Sequence, residues 1–187
     1  PLSLEDYRAV TQRSASVELS PRAREKIARC HRFLLDRISQ SNELVYAVNT
    51  GFGKFSDVRI SPSDIGELQI NILRSHACGI GEPLEVESVR GMLLLRAVSL
   101  CQGHSGVAVE TVLRILDLLN HGIHPRIPSQ GSVGASGDLA PLSHLALVLI
   151  GEGEAELDGR RCSGAEALQR RGLTPLTLGP KEGLALI

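Results

Sequence analysis

Apolar residues recur along this chain mainly with a period near 3.6, and that spacing predicts helices. Ser20-Pro21 supplies a capping serine followed by proline at a first helical position. The segment after it carries Ile27, Cys30, Phe33, Leu34 and Ile38 on one face and Arg and Lys on the other. Ser61-Pro62 repeats the start signal ahead of Ile65, Leu68, Ile72 and Leu73. Val86 to Leu100 is apolar nearly all round, which predicts a buried helix. Val107 to Leu119 is another helical stretch, stopped by Asn120, His121 and Gly122. Leu139 to Ile150 is a third apolar helix, with Pro141 tolerable in its first turn.

One clear hairpin signal stands against this helical background. Ala155-Glu156-Leu157 and Arg160-Arg161-Cys162 flank Asp158-Gly159, a favoured two-residue turn. Ser163 then caps a short helix, with Glu166 in the capping-box position and Gly172 at its end. Residues 173–179 form a proline-punctuated connector. The expected fold is mainly α: helices joined by long loops that carry the chemistry, with one short β-hairpin.

Composition sharpens the picture in three places. Hydrophobic residues make up 42% of the 187 positions but aromatics only 3%, so the core is built from Leu, Ile, Val and Ala. The net charge is −1 with no basic run, so no nucleic-acid or anionic-membrane partner is expected. The longest apolar stretch, Leu145 to Ile150, is far short of a membrane span. No charged segment leads into an apolar one at the start, so no secretory signal and a cytoplasmic location are expected. Cys30, Cys78, Cys101 and Cys162 show no metal spacing and are expected to be free thiols. His121 and His124 sit in what looks like a helix-end loop without further ligands, so no metal is expected there.

The most reactive stretch is Gly131 to Leu142, GSVGASGDLAPL. Taken alone, Ala135-Ser136-Gly137 is a flexible turn. It is also a tripeptide that can close on itself. If the Gly137 nitrogen attacks the Ala135 carbonyl carbon, a five-membered ring forms. Loss of two waters, one using the Ser136 hydroxyl, leaves a methylene conjugated to an imidazolone. Glycine suits the attacking position because it has no Cβ to block the compressed geometry. Asp138 and Leu139 lead into the apolar helix, whose positive end would favour electron flow into the ring. Two other readings of the glycines fail. A nucleophile elbow needs a preceding strand and glycine where Asp138 stands, and a phosphate loop needs Gly-Lys-Ser/Thr.

The stretch resembles the signature of the aromatic amino acid ammonia-lyases, which form 4-methylidene-imidazol-5-one (MIO) from Ala-Ser-Gly. Three further blocks resemble that family in the same order: Tyr46-Ala47-Val48-Asn49-Thr50-Gly51-Phe52-Gly53, Arg74-Ser75-His76-Ala77-Cys78-Gly79-Ile80-Gly81 and Lys181-Glu182-Gly183-Leu184-Ala185-Leu186-Ile187. The resemblance implies the N-terminal part of an ammonia-lyase/fumarase-like helical fold. Residues 1–187 would be one MIO-containing region, with the C-terminal helical bundle absent. The start at Pro1 and the stop within an apolar run fit that expectation.

The resemblance also assigns roles. Ala135, Ser136 and Gly137 would form the MIO, with no external cofactor and no metal. Tyr46, by its neighbours a half-buried tyrosine after Leu44-Val45, would be the base that removes the β-proton. Gly51 and Gly53 would let its loop swing over the site. The loop carries Tyr46-Ala47 where relatives commonly have Tyr-Gly. His76, by itself a structural histidine, would lie at the ring-recognition end of the pocket. Ser75-His76 resembles the histidine-using members and implies conversion of L-histidine to trans-urocanate and ammonia. Arg74 and Glu67 are expected to be solvated helix charges, and His104-Ser105 part of a turn. A small-molecule amino acid substrate and a homotetramer at full length are implied. Alternatives are an aminomutase, a lyase for another aromatic amino acid, or an inactive helical fragment of such an enzyme.

Overall fold

The computed structural model describes residues 2–40, 43–133 and 139–187. Among these the fold is mainly α, as the periodicity predicts. The helices are α1 (Leu4–Thr11), α2 (Pro21–Gln40), α3 (Ile65–His76), α4 (Val86–Leu100), α5 (Val109–Asn120), α6 (Leu139–Leu149), α7 (Gly164–Arg170) and α8 (Glu182–Leu186). The short strands are β1 (Ile80–Pro83), β2 (Ile123–Pro125), β3 (Pro128–Gln130), β4 (Glu154–Leu157) and β5 (Arg160–Ser163). No described helix is long and apolar enough to cross a membrane.

The aliphatic core draws chiefly on α4, α5 and α6, with Leu93, Leu100, Ile115, Leu118, Leu145 and Leu149 fully buried. Arg90 of α4 is buried among them. Its Nε and Nη2 donate to the Val10 carbonyl, and its Nη1 donates to the Leu119 carbonyl at 2.9 Å. Those carbonyls close α1 and α5, so one cation satisfies two negative helix ends. His124 of β2 is buried beside it, with Nε2 3.4 Å from Arg90 Nη1. Burial, reinforced by the charges of Arg13 and Arg90, lowers its pKa to about 4, so the ring is neutral at pH 7.

Several sequence expectations need correction. The α1 helix was not foreseen, although Ser3 and Asp6 form a reciprocal capping box. The α5 helix starts at Val109 rather than Val107, after an N-cap, Ala108, whose side chain cannot cap. The cap comes from Glu182, which accepts from the Ala108 N–H and the Thr111 hydroxyl. In α2 only Ile27 is fully buried; Cys30, Leu34 and Ile38 are partly buried, and Phe33 is 71% exposed. His124 lies in a strand, not a loop. The β4–β5 hairpin turns at Asp158 and Gly159 with φ of 52° and 73°, as expected, but β2 extends it to three strands.

Candidate functional site

The Tyr46 loop is braced at its base. Asn49 is buried; its Oδ1 accepts from the Val45 N–H at 2.7 Å and its Nδ2 donates to the Glu43 carbonyl at 2.8 Å. Thr50 Oγ1 accepts from the Ala47 N–H and donates to the Gly51 carbonyl. The Tyr46 side chain takes no part in these bonds among the described residues. It is 52% exposed, and its ring meets Phe52 edge-on at 6.2 Å between centroids. Gly51 serves packing, since a Cβ there would lie 2.6 Å from Phe55 Cβ. Ala47 is fully buried with φ of +61°, a left-handed conformation that glycine adopts more easily.

The next block ends α3. His76 is half-buried, with Nδ1 2.9 Å from the Ile72 carbonyl. A carbonyl can only accept, so Nδ1 carries the proton, and in the neutral ring Nε2 keeps its lone pair. Ser75 Oγ donates to the same carbonyl at 3.0 Å. Arg74 was expected to be a solvated charge. It faces solvent, yet its guanidinium forks onto Glu152 beyond α6, with Nε donating to Oε2 at 3.0 Å. That hydrogen bond holds the Glu152 carboxyl below the usual range. Glu67 is exposed, as expected.

Ala135, Ser136 and Gly137, with Gly134 and Asp138, lie outside the described residues. The chain on either side is held closely. Strand β1 pairs antiparallel with β3, which sets Ile80 opposite Gln130. A Cβ on Gly131 would lie 3.1 Å from Gly79 Cα and 3.2 Å from Ala140 Cβ. His144 of α6 reaches back, its Nε2 accepting from the Gly79 N–H at 3.0 Å. The segment after His76 is thus pinned to both flanks of residues 134–138.

Two residues that sequence reasoning did not single out join the remaining blocks. Gln69 of α3 is fully buried; its Nε2 donates to the Ala47 carbonyl at 3.2 Å and its Oε1 accepts from the Leu184 N–H at 3.3 Å. Glu182 is also buried, and its second oxygen accepts from the Gly179 N–H at 2.7 Å. Beside it, Lys181 Nζ donates to the Ser105 carbonyl at 3.0 Å. That bond fixes the turn holding His104 and Ser105.

Comparison with known proteins agrees with this geometry. A family profile described as aromatic amino acid lyase matches residues 2–187. Histidine ammonia-lyase from Deinococcus radiodurans is 55% identical over 186 residues, covering 100% of this chain and 35% of that protein. Among solved structures, the ergothioneine-degrading ergothionase of Treponema denticola superposes with a TM-score of 0.95 at 36% identity, covering 100% of this chain and 37% of that one. Histidine ammonia-lyase from Trypanosoma cruzi gives 0.85 at 40% identity, covering 97% and 34%. The chain therefore spans about a third of the length of the curated relatives it matches. With the matching profile running from residue 2 to residue 187, this chain belongs to the aromatic amino acid lyase family.

Proposed function

We propose that residues 1–187 form the single MIO-bearing N-terminal region of a histidine ammonia-lyase, which converts L-histidine to trans-urocanate and ammonia. The observation that carries this reading is the hydrogen bond between His76 Nδ1 and the Ile72 carbonyl. With Nδ1–H committed there, Nε2 of the neutral ring is free to accept an N–H from a substrate imidazole. A benzene ring offers no donor there, so histidine is favoured over phenylalanine. The roughly 50% identity to curated histidine ammonia-lyases supports the same substrate.

Ala135, Ser136 and Gly137 are the residues that would become the MIO. The packing around Gly131, Gly79 and Ala140 fits this, because it anchors the chain on both sides of the segment that must close on itself. When formed, that group supplies an electrophile that ordinary side chains lack and makes the substrate amine a better leaving group. Tyr46 takes the β-proton, the Cα–N bond breaks with its electron pair leaving on nitrogen, and the Cα=Cβ double bond forms. The exposed phenol on a braced loop supports this role. A full-length homotetramer in the cytoplasm belongs to the same proposal.

The test uses a full-length enzyme carrying this chain. Wild type is expected to release urocanate, read by its ultraviolet absorbance, and to weigh two waters less than its sequence. Ser136→Ala should lose both the mass deficit and the near-ultraviolet absorbance of the ring. Tyr46→Phe should keep the ring and lose about 10²-fold or more in kcat, the range for removing a general base. Cinnamate or coumarate formed faster than urocanate would overturn the substrate. A β-amino acid product would instead make the enzyme an aminomutase.

A further inference from the structure

Gln69 does not belong to any of the four sequence blocks, yet it touches two of them and stands on the helix that presents the third. Its side chain is fully buried, and both ends of its amide are used: Nε2–H to the Ala47 carbonyl and Oε1 to the Leu184 N–H. The two bonds fix which way the amide points, since a flip would set a donor against a donor and an acceptor against an acceptor. Its backbone is held as firmly. A Cβ on Gly183 would lie 2.3 Å from the Gln69 carbonyl oxygen, so α8 rests directly on α3 at this position.

The chemistry of the neighbours shows what this hook acts on. Ala47 follows Tyr46 and has φ of +61°, a conformation that an alanine keeps only when its surroundings impose it. Two bonds do so here: the Ala47 N–H goes to Thr50 Oγ1 within the loop, and the Ala47 carbonyl goes to Gln69 across to α3. Of these two, only the second reaches α3; the loop is otherwise held by backbone bonds from Asn49 and Gly51 to residues 58–60. His76 lies seven residues further along α3, about two turns and roughly 10 Å on, on nearly the same face. One rigid helix thus sets the height of Tyr46 relative to His76.

We infer that Gln69 is the positioning residue of the Tyr46 base: by holding the Ala47 carbonyl it registers the phenol against the imidazole site at His76. This rests on the assignment of Tyr46 as the base. A displaced base loses proton-transfer rate long before it loses substrate binding, because the near-attack geometry tolerates little error.

The experiment uses the full-length enzyme and two substitutions. Gln69→Leu removes both bonds. Gln69→Glu keeps the shape and the acceptor for Leu184 and, when ionised, turns a lone pair toward the Ala47 carbonyl. Activity is referred to the amount of ring, measured by its near-ultraviolet absorbance. Each variant is expected to lose about 10- to 100-fold in kcat per ring. KM for L-histidine should stay within about threefold, the pattern of an interaction made in the transition state alone. The kinetic isotope effect with β-deuterated histidine should rise as proton removal becomes rate-limiting. A purely structural role would lower the melting temperature and ring content but leave kcat per ring and the isotope effect at wild-type values. That result in either folded variant overturns the inference. Tyr46→Phe, run in parallel, separates the two claims. If it retains wild-type kcat, the base assignment fails and this inference with it. If it is inactive while both Gln69 variants are unaffected, only the inference fails.

Discussion

The Gly79 N–H donates to Nε2 of His144, at 3.0 Å and 65 residues away along the chain. For that bond His144 must be neutral with its proton on Nδ1. Burial pushes its pKa down, which keeps it so at ordinary pH. The bond ties the segment after His76 to α6, the helix that follows residues 134–138. His144→Leu leaves the Gly79 N–H without a partner and should destabilise the fold by about 1–3 kcal/mol. His144→Gln offers a replacement carbonyl acceptor and should recover part of that. Thermal unfolding of the two variants against wild type checks this; equal melting points for Leu and Gln would show that the bond contributes nothing.

Ala47 gives a second expectation. A β-branched residue is far less tolerant of a positive φ than alanine, and Ala47 is fully buried. Ala47→Val should therefore destabilise by about 1–3 kcal/mol through overpacking, with added backbone strain. Ala47→Gly relieves the left-handed penalty of about 1–2 kcal/mol. It also returns about 0.4–1 kcal/mol of unfolded-state entropy. The net change should be small, and kcat is expected to stay near wild type. A large fall in melting temperature for Ala47→Gly would contradict this balance.

Glu182 is the acceptor for three donors: the Ala108 N–H, the Thr111 hydroxyl and the Gly179 N–H. Glu182→Ala strands all three and should destabilise by about 3 kcal/mol or more, at about 1–3 kcal/mol for each buried donor. Glu182→Gln keeps one acceptor oxygen and should lose less. Chemical denaturation of the full-length variants reads the order: wild type, then Gln, then Ala.

His124 predicts a pH dependence. Its pKa is about 4 in the fold and ordinarily about 6.5, so the unfolded chain binds a proton over that interval and the folded one does not. Stability from this group is complete above about pH 6.5 and is lost as pH falls toward 4. At about 1.4 kcal/mol per pKa unit the full loss is about 3 kcal/mol. His124→Gln cannot take up the proton. Its melting temperature should fall less steeply than that of wild type between pH 6.5 and 5, above the range where most carboxylates titrate. Parallel curves for the two proteins would rule out His124 as the source.

The helical architecture was legible in the sequence because its signals are local. The spacing that places α4 at Val86–Leu100, the proline at the start of α2, the Asp158-Gly159 turn and the Ser163 cap each act within a few residues. The same locality explains how a four-block resemblance could be read without coordinates, and with it the candidates Tyr46, His76 and Ala135-Ser136-Gly137.

What only the tertiary structure decided are pairings between distant residues. The β1–β3 pairing joins strands too short to show a period. The cap of α5 is supplied by Glu182, 71 residues beyond Thr111, so the helix start could not be placed from its own sequence. Phe33 shares the apolar face of α2 with Ile27, yet Ile27 is 1% exposed and Phe33 71%, because burial depends on which part of that face another segment covers. Gln69 and His144 looked like ordinary helical residues until their partners, Ala47 and Gly79, were seen against them. Periodicity records which side of an element is apolar. It does not record which polar group on that side meets a backbone carbonyl or N–H from elsewhere, because that match exists only once the chain has folded.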